Sequence, residues 1–143
     1  MAATKRRPSN SVSLWRDKVW KLFSLYIRLR DRLEENGFPT DYGNCITCGV
    51  VTEWKSLQAG HFVPGRKPAI LFDERNCHAQ CYACNCHKDG NLIEYYPVML
   101  EKYGEEVVEE LRWLSKQQKR FTVQELKELY ETYKQKIEHE NSR

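Results

Sequence analysis

NCHAQCYACNCHKDGN, Asn76–Asn91, packs four cysteines, two histidines and three asparagines into sixteen residues. The fold turns on which of these hold a metal and which do chemistry. Cys81-x-x-Cys84 in this stretch has a counterpart upstream in Cys45-x-x-Cys48. A CxxC pair makes a tight knuckle that presents both sulfurs to one side, and four thiolates satisfy the tetrahedral preference of Zn²⁺. Four core cysteines are the plain alternative. Cys86 and His87 offer competing ligands, so a set that uses one of them stays open, and Cys77 and Cys86 are otherwise spare. A filled Cys₄ zinc site has no open coordination position, so it would staple the fold and leave any chemistry to other residues.

The chain around this stretch has 143 residues, the size of one domain with a single core. Its aliphatic runs fall well short of the roughly eighteen apolar residues that span a bilayer, and no membrane partner is expected. The N-terminal MAATKRRPSNS is basic without an apolar segment behind it. It does not read as a secretory signal, and a cytosolic setting is expected, where six cysteines are thiolates or zinc ligands rather than disulfides. The net charge of +3 is uneven. Residues 1–35 hold nine Lys/Arg against four acids, residues 36–90 five against five, and residues 91–143 nine against eleven. The basic end reads as a surface for a polyanion or, equally on charge alone, as a solvated helix face.

The expected organisation is a disordered basic tail over 1–11 and a single domain over 12–143. That domain divides into a basic helix over 12–36, a zinc core over 43–91 and a helical extension over 95–140. Ser13 is placed to cap the first helix, whose stripe Leu14, Trp15, Val19, Leu22, Phe23, Tyr26, Ile27, Leu29 and Leu33 repeats in threes and fours. Asn36-Gly37 and Pro39 end it. Arg16, Lys21, Arg28, Arg30 and Arg32 interleave with the stripe, and Trp15 and Trp20 read as core. Extended segments are expected at Val50–Thr52, Trp54–Phe62 and Ala69–Phe72, and a short helix from Cys81 to Gly90. Helices follow over Tyr96–Tyr103 and Glu105–Gln117. Thr122-Val-Gln-Glu125 fits a capping box that opens a last helix carrying Leu126, Leu129, Tyr130, Tyr133 and Ile137.

Between the two knuckles sit Gly60-His61-Phe62, at the end of an apparent strand, and Asn76; Asn85-Cys-His-Lys88 comes directly after Cys84. A histidine on a strand, an asparagine in the following loop, and an asparagine opening a helix with a lysine three residues on form the pattern of the HNH, or ββα-metal, nucleases. WRDKVWKLFSLYIRLRD, CITCG, LQAGHFVPGR, FDERNCHAQCYACN and GNLIEYY together resemble the phage NinG (Rap) family of recombination proteins, from about Trp15 to Leu111. The resemblance implies an α+β fold, a small zinc-stapled HNH-like core flanked by an N-terminal amphipathic helix and C-terminal helices. It also implies a phage-encoded endonuclease of the host cytoplasm, acting on branched DNA such as Holliday junctions and D-loops. Two paired incisions at a junction would call for a homodimer.

The chemistry of phosphodiester hydrolysis gives the matching residues roles. His61 is the candidate base, Asn85 the candidate ligand of a catalytic Mg²⁺ or Mn²⁺, and Asn76 a group that could orient the His61 ring. Arg66, Lys67 and Lys88 are candidate phosphate contacts, joined by Arg16, Lys21 and Arg28 on the basic helix. Many HNH sites carry Asp directly before the histidine, where Gly60 stands here, so the cation would rest on Asn85 with few ligands or recruit Asp73, Glu74 or His78. Two rivals remain at this level. A non-catalytic zinc module binding nucleic acid explains the cysteines and the charge, and a cysteine nucleophile at Cys77 or Cys86 has no local signature behind it.

Overall fold

A computed structural model describes residues 6–143. It is a mixed α+β domain of helices around two small antiparallel sheets. Helix α1 spans Val12–Arg30, and its cap is not the expected Ser13 but Ser11, whose hydroxyl oxygen accepts from the Leu14 N–H at 3.1 Å. Residues 1–5 of the expected tail lie outside the described residues. Arg7 is tied to Asp17 at 2.5 Å.

The first helix stops six residues before the expected boundary at 36. Asp31 closes it, and Arg32–Glu35 (β1) turns back on Phe38–Asn44 (β2) as a hairpin. Asn36 and Gly37, taken from sequence as a helix terminator, have φ of +54° and +82°, the pair of left-handed residues that a two-residue type I′ turn requires. The apolar stripe reaches Leu33 because the outgoing strand happens to keep the phase. Val51–Glu53 (β3) completes this sheet beside β2, and the loop between them is the first knuckle, closed by Cys45 N–H to Val50 O at 2.9 Å.

The second sheet pairs Gln58–His61 (β4) with Cys77–Gln80 (β5), His61 opposite Cys77 and Gln58 opposite Gln80. Pro68–Ile70 between them is a 3₁₀ turn, not the extended segment expected at Ala69–Phe72. Pro68 opens that turn, where its fixed φ suits helical geometry. β5 was hidden in the cysteine-rich run because all four of its residues are buried. A strand covered on both faces shows no alternation of polar and apolar residues.

One face of this sheet packs on α1 and the last helix, α4 (Val123–Asn141), through Ala59, Cys77, Phe23, Ile27 and Tyr133. The other packs on α2 (Leu92–Tyr103), whose Tyr95 hydroxyl donates to Gly60 O at 2.8 Å and meets His78 Nδ1 at 3.1 Å. Helix α3 (Glu105–Ser115) closes this second core with Val108 and Leu111 against Phe62, Ile70 and Met99. The capping box is formed: Thr122 accepts from Glu125 N–H at 3.1 Å, and the Glu125 carboxylate returns to Thr122 N–H.

β5 has one sheet neighbour, so its outer edge must find partners elsewhere. Arg30 donates to Glu74 O at 2.9 Å and Cys77 O at 2.7 Å, Asp31 accepts from Ala79 N–H at 2.9 Å, and Ala79 O accepts from Ile46 N–H at 2.9 Å. The end of α1 and the first knuckle thus stand where a third strand would. Asp31→Ala strands a buried N–H and releases Arg30, and is expected to cost about 2–4 kcal/mol. Its urea midpoint should fall well below that of Glu35→Ala on the exposed hairpin, and equal midpoints would show that Ala79 finds another acceptor.

Candidate active site and metal centre

The sulfurs of Cys45, Cys48, Cys81 and Cys84 lie within 4.8 Å of one another and could hold a metal such as zinc. Cys48 Sγ and Cys81 Sγ are 3.8 Å apart, the edge of a tetrahedron with zinc–sulfur bonds of about 2.3 Å. Donors point at the cluster: Cys84 N–H to Cys81 Sγ at 3.4 Å, Asn91 Nδ2 to Cys84 Sγ at 3.5 Å, and Thr47 Oγ1 3.2 Å from Cys45 Sγ. Burial works against the Cys45 thiolate, but Thr47 and neighbouring backbone N–H groups bring its pKa down to about 6. Burial and the adjoining sulfurs push Cys81 up to about 12. Without a cation the four cannot all ionise, and a bound divalent metal removes that conflict.

Neither competing ligand joins the cluster. Cys86 is exposed, 3.3 Å from Gln58 Oε1, and His87 packs edge-on against Tyr82. Cys77 is fully buried among Phe23, Ile27 and Tyr133, and burial raises its pKa far above that of a free thiol, which makes it inert packing.

Beside this cluster two pockets of about 470 and 260 Å³ share Trp20, Ala59 and Asn85, and form one groove along the outer edge of β4. One end is lined by Ser24, Arg28, Lys55 and Gln58, the other by His61, Arg66, Asp89 and Gly90. His61 Nε2 lies 3.1 Å from Leu71 O. A carbonyl only accepts, so Nε2 carries the proton and Nδ1 is left with the free lone pair. Burial lowers the His61 pKa below its ordinary value and the nearby Arg66 charge lowers it further, against the opposing bond to Leu71. Trp20 stacks on the ring at 5.1 Å, and the Arg66 guanidinium lies over the Trp20 ring at 4.7 Å. Trp20 is therefore part of the groove as well as of the core. No periodicity separates those two roles, since Trp20 directly follows Val19 at the border of the apolar stripe.

Asn76 is fully buried, and its amide is closed on Val63, accepting from Val63 N–H at 2.9 Å and donating to Val63 O at 3.3 Å. It pins the chain just past His61, while Leu71 orients the ring. Asn85 enters the groove from a π-helical turn, Ala83–His87, set up by Lys88 N–H to Ala83 O at 2.9 Å. Such turns recur at functional sites. Its Nδ2 donates to Gln58 Oε1 at 2.7 Å, which leaves Oδ1 as an oxygen of the hard type that Mg²⁺ takes. None of the three expected helper ligands lines the groove. Asp73 caps its own turn and holds Arg75, Glu74 binds Tyr133 and Lys136, and His78 is buried between Tyr95 and Tyr103 with its pKa pushed down to about 4 by burial.

Gly60 has a structural reason. A Cβ there would stand 1.8 Å from Gln80 Oε1 and 3.1 Å from Asn85 Oδ1. Gln80 is fully buried, and its Nε2 donates to Gly90 O at 2.8 Å and Thr47 Oγ1 at 3.2 Å. Its Oε1 has no partner, a condition that costs about 1–3 kcal/mol.

Of the expected phosphate contacts, Arg28 and Arg66 line the groove, with Arg28 also 5.6 Å from the Trp54 ring. Arg16 lies one helical turn before Trp20 on α1, and Lys21, Lys67 and Lys88 are exposed outside the groove lining. Lys55 and Asp89, not singled out from sequence, do line it. The i+4 spacing of Asp89 from Asn85 was the available signal. Among the described residues no helix is long and apolar enough to cross a membrane.

The family described as Bacteriophage Lambda NinG protein matches residues 2–142. Among similar proteins, the Protein ninG of Escherichia phage 933W and that of Salmonella phage P22 are each 36% identical over 128 residues, covering 87% of this chain and 57% of theirs. The Protein ninG of Escherichia phage lambda is 35% identical, over 87% of this chain and 56% of its own. The chain thus spans a little over half the length of these relatives. No solved structure matches it. With nearly the whole sequence inside the family match and both cysteine knuckles brought together, the chain belongs to the NinG family of phage proteins.

Proposed function

We propose that the chain is a metal-dependent DNA endonuclease of the HNH (ββα-metal) type, stapled by zinc on Cys45, Cys48, Cys81 and Cys84, that hydrolyses phosphodiesters in branched recombination intermediates. The observation that carries this reading is the groove in which His61, with one ring nitrogen tied to a carbonyl and its pKa lowered, shares a wall with Asn85 and Arg66. The order β4, β5, helical turn also suits a strand–strand–helix core.

His61 is neutral near pH 7, and Nδ1 takes the proton of the water that attacks phosphorus while Leu71 O holds the ring in place. Arg66 and Arg28, braced on Trp20 and Trp54, and Lys55 at the Arg28 end contact phosphates along the strand. Arg16, Lys21, Lys67 and Lys88 add outer charge. Asn85 would hold Mg²⁺ or Mn²⁺, which when bound offsets the negative charge building on the phosphate and the departing 3′ oxygen. Asn76 is a positioning residue for the backbone beyond His61. The branched substrate, and the pair of chains that two incisions require, rest on the family resemblance.

His61→Ala should stay folded, keep zinc and bind a four-way junction normally, while cleavage falls about 10²–10⁴-fold, as for a lost general base. Asn85→Ala should lose cleavage and regain part of it at high Mn²⁺, which His61→Ala should not. Because the His61 pKa is lowered, the wild-type rate should hold level as pH falls through the ordinary histidine value near 6.5 and decline only below it. Wild-type cleavage by His61→Ala would leave a zinc-stapled binding protein as the better description.

Zinc is tested separately. Cys84→Ser should release zinc and unfold the central region, since metal-binding energy of about 10 kcal/mol or more is also folding energy in such sites. Cys86→Ser should keep a full complement. Metal analysis and thermal unfolding read both, and zinc retained in Cys84→Ser would reject this ligand set.

For the DNA groove, Lys55→Ala and Arg66→Ala should each lower the slope of log affinity against log salt by about one, evenly across sequences. Lys116→Ala, outside the groove, should leave it unchanged. An unaltered slope in the first two would move the DNA to another face.

A further inference from the structure

Behind Asn85, on the wall of the groove, lies an oxygen with no hydrogen to meet it. Gln80 Oε1 is buried and unpartnered, and it cannot be exchanged with Nε2, because Gly90 O accepts and would then face another oxygen. It points at the space over Gly60, 1.8 Å from where a side chain there would begin, and Asn85 Oδ1 is 3.1 Å from the same point. Asp89, one turn beyond Asn85, lines the His61 end of the groove, and no other acidic residue does so. It is carried there by three successive residues with positive φ, Asp89 at +48°, Gly90 at +90° and Asn91 at +50°. Backbone held in this region by surrounding structure marks functional turns.

We infer that Gln80 and Asp89, together with Asn85, are the ligands of the divalent cation, with the Gln80 amide oxygen standing in for the side chain that Gly60 lacks. The inference rests on the nuclease reading for the cation's purpose but not for its location. Two neutral oxygens and one carboxylate are the hard donors that Mg²⁺ and Mn²⁺ accept, with the remaining positions left to water and phosphate oxygens. Asp89 and Asn85 line the groove, and the buried Gln80 oxygen lies close to the Asn85 amide oxygen over Gly60. The Gln80 oxygen is buried, so binding gives it the partner that no donor among the described residues supplies.

The same geometry explains why Gly60 and Gln80 belong together. A carboxylate side chain at 60 and the glutamine at 80 would compete for one space.

Mn²⁺ binding to zinc-loaded protein, followed by the electron paramagnetic resonance of the free ion, tests this without any nuclease assay. Gln80→Ala and Asp89→Asn should each weaken Mn²⁺ binding at least about tenfold, the loss usual for removal of a supporting group at a metal site. Gly60→Asp placed in the Gln80→Ala background should restore it, because the alanine vacates the space and the aspartate returns an oxygen to it. Asp89 is exposed, so Asp89→Asn decides the matter even if the Gln80 variant loses its zinc. Wild-type Mn²⁺ affinity in Asp89→Asn, or in a folded, zinc-loaded Gln80→Ala, would overturn the assignment. If the wild type also cleaves with Mg²⁺, the nuclease reading survives that result; if the wild type neither takes up Mn²⁺ nor cleaves, both fall.

Discussion

A strand buried on both faces with a single sheet neighbour must find hydrogen bonds for its other edge, and that requirement on β5 organises the molecule. Arg30 and Asp31 meet it from the end of α1, and Ile46 meets it from the first knuckle. The helix has to stop where it does for these two side chains to reach Glu74, Cys77 and Ala79. Once it stops there, the preceding turns carry Arg28, Ser24 and Trp20 along β4, and Trp20 comes to rest against His61. The wall of the groove is thus a consequence of an edge that needed covering.

The cysteine cluster and the groove are neighbours with opposite chemistry. The cluster gathers soft sulfurs with donors aimed at them, and beside the groove wall stands a hard amide oxygen without a donor. Gln80 joins the two. Its Nε2 donates to Thr47 Oγ1, which frees the Thr47 hydroxyl hydrogen for Cys45 Sγ, while its Oε1 faces Gly60 and Asn85. A metal on the cysteines therefore holds the orientation of an amide two hydrogen bonds away, and the second knuckle carries Asn85 directly after Cys84. The cysteine cluster and the groove wall are thus mechanically coupled.

The histidines divide by environment rather than by motif. His78 is buried between two tyrosine hydroxyls, and its low pKa reflects that burial deep in the core. His61 has one nitrogen tied to a carbonyl and borders an open groove. A perturbed pKa alone would rank the buried His78 above the one that borders the groove.

What was legible in the sequence followed from local rules. Two CxxC spacings implied a four-sulfur cluster, a capping box implied the start of α4, and a histidine on a strand with an asparagine after the second knuckle implied that His61 and Asn85 would share one cavity. These are short-range geometries set by a few bonds. Where local rules allowed two answers, tertiary structure chose. Asn36-Gly37 suits a helix end or a hairpin, and the hairpin won because β2 and β3 were there to continue the sheet. β5 carried no alternation, since a strand covered on both faces has no polar side to show. Asp31, Gln80, Asp89 and Lys55 gave no signal because their significance lies in what stands opposite them: an unpaired strand edge, a bare glycine and a groove. Each is made by segments distant in the chain, so no window of sequence contains it.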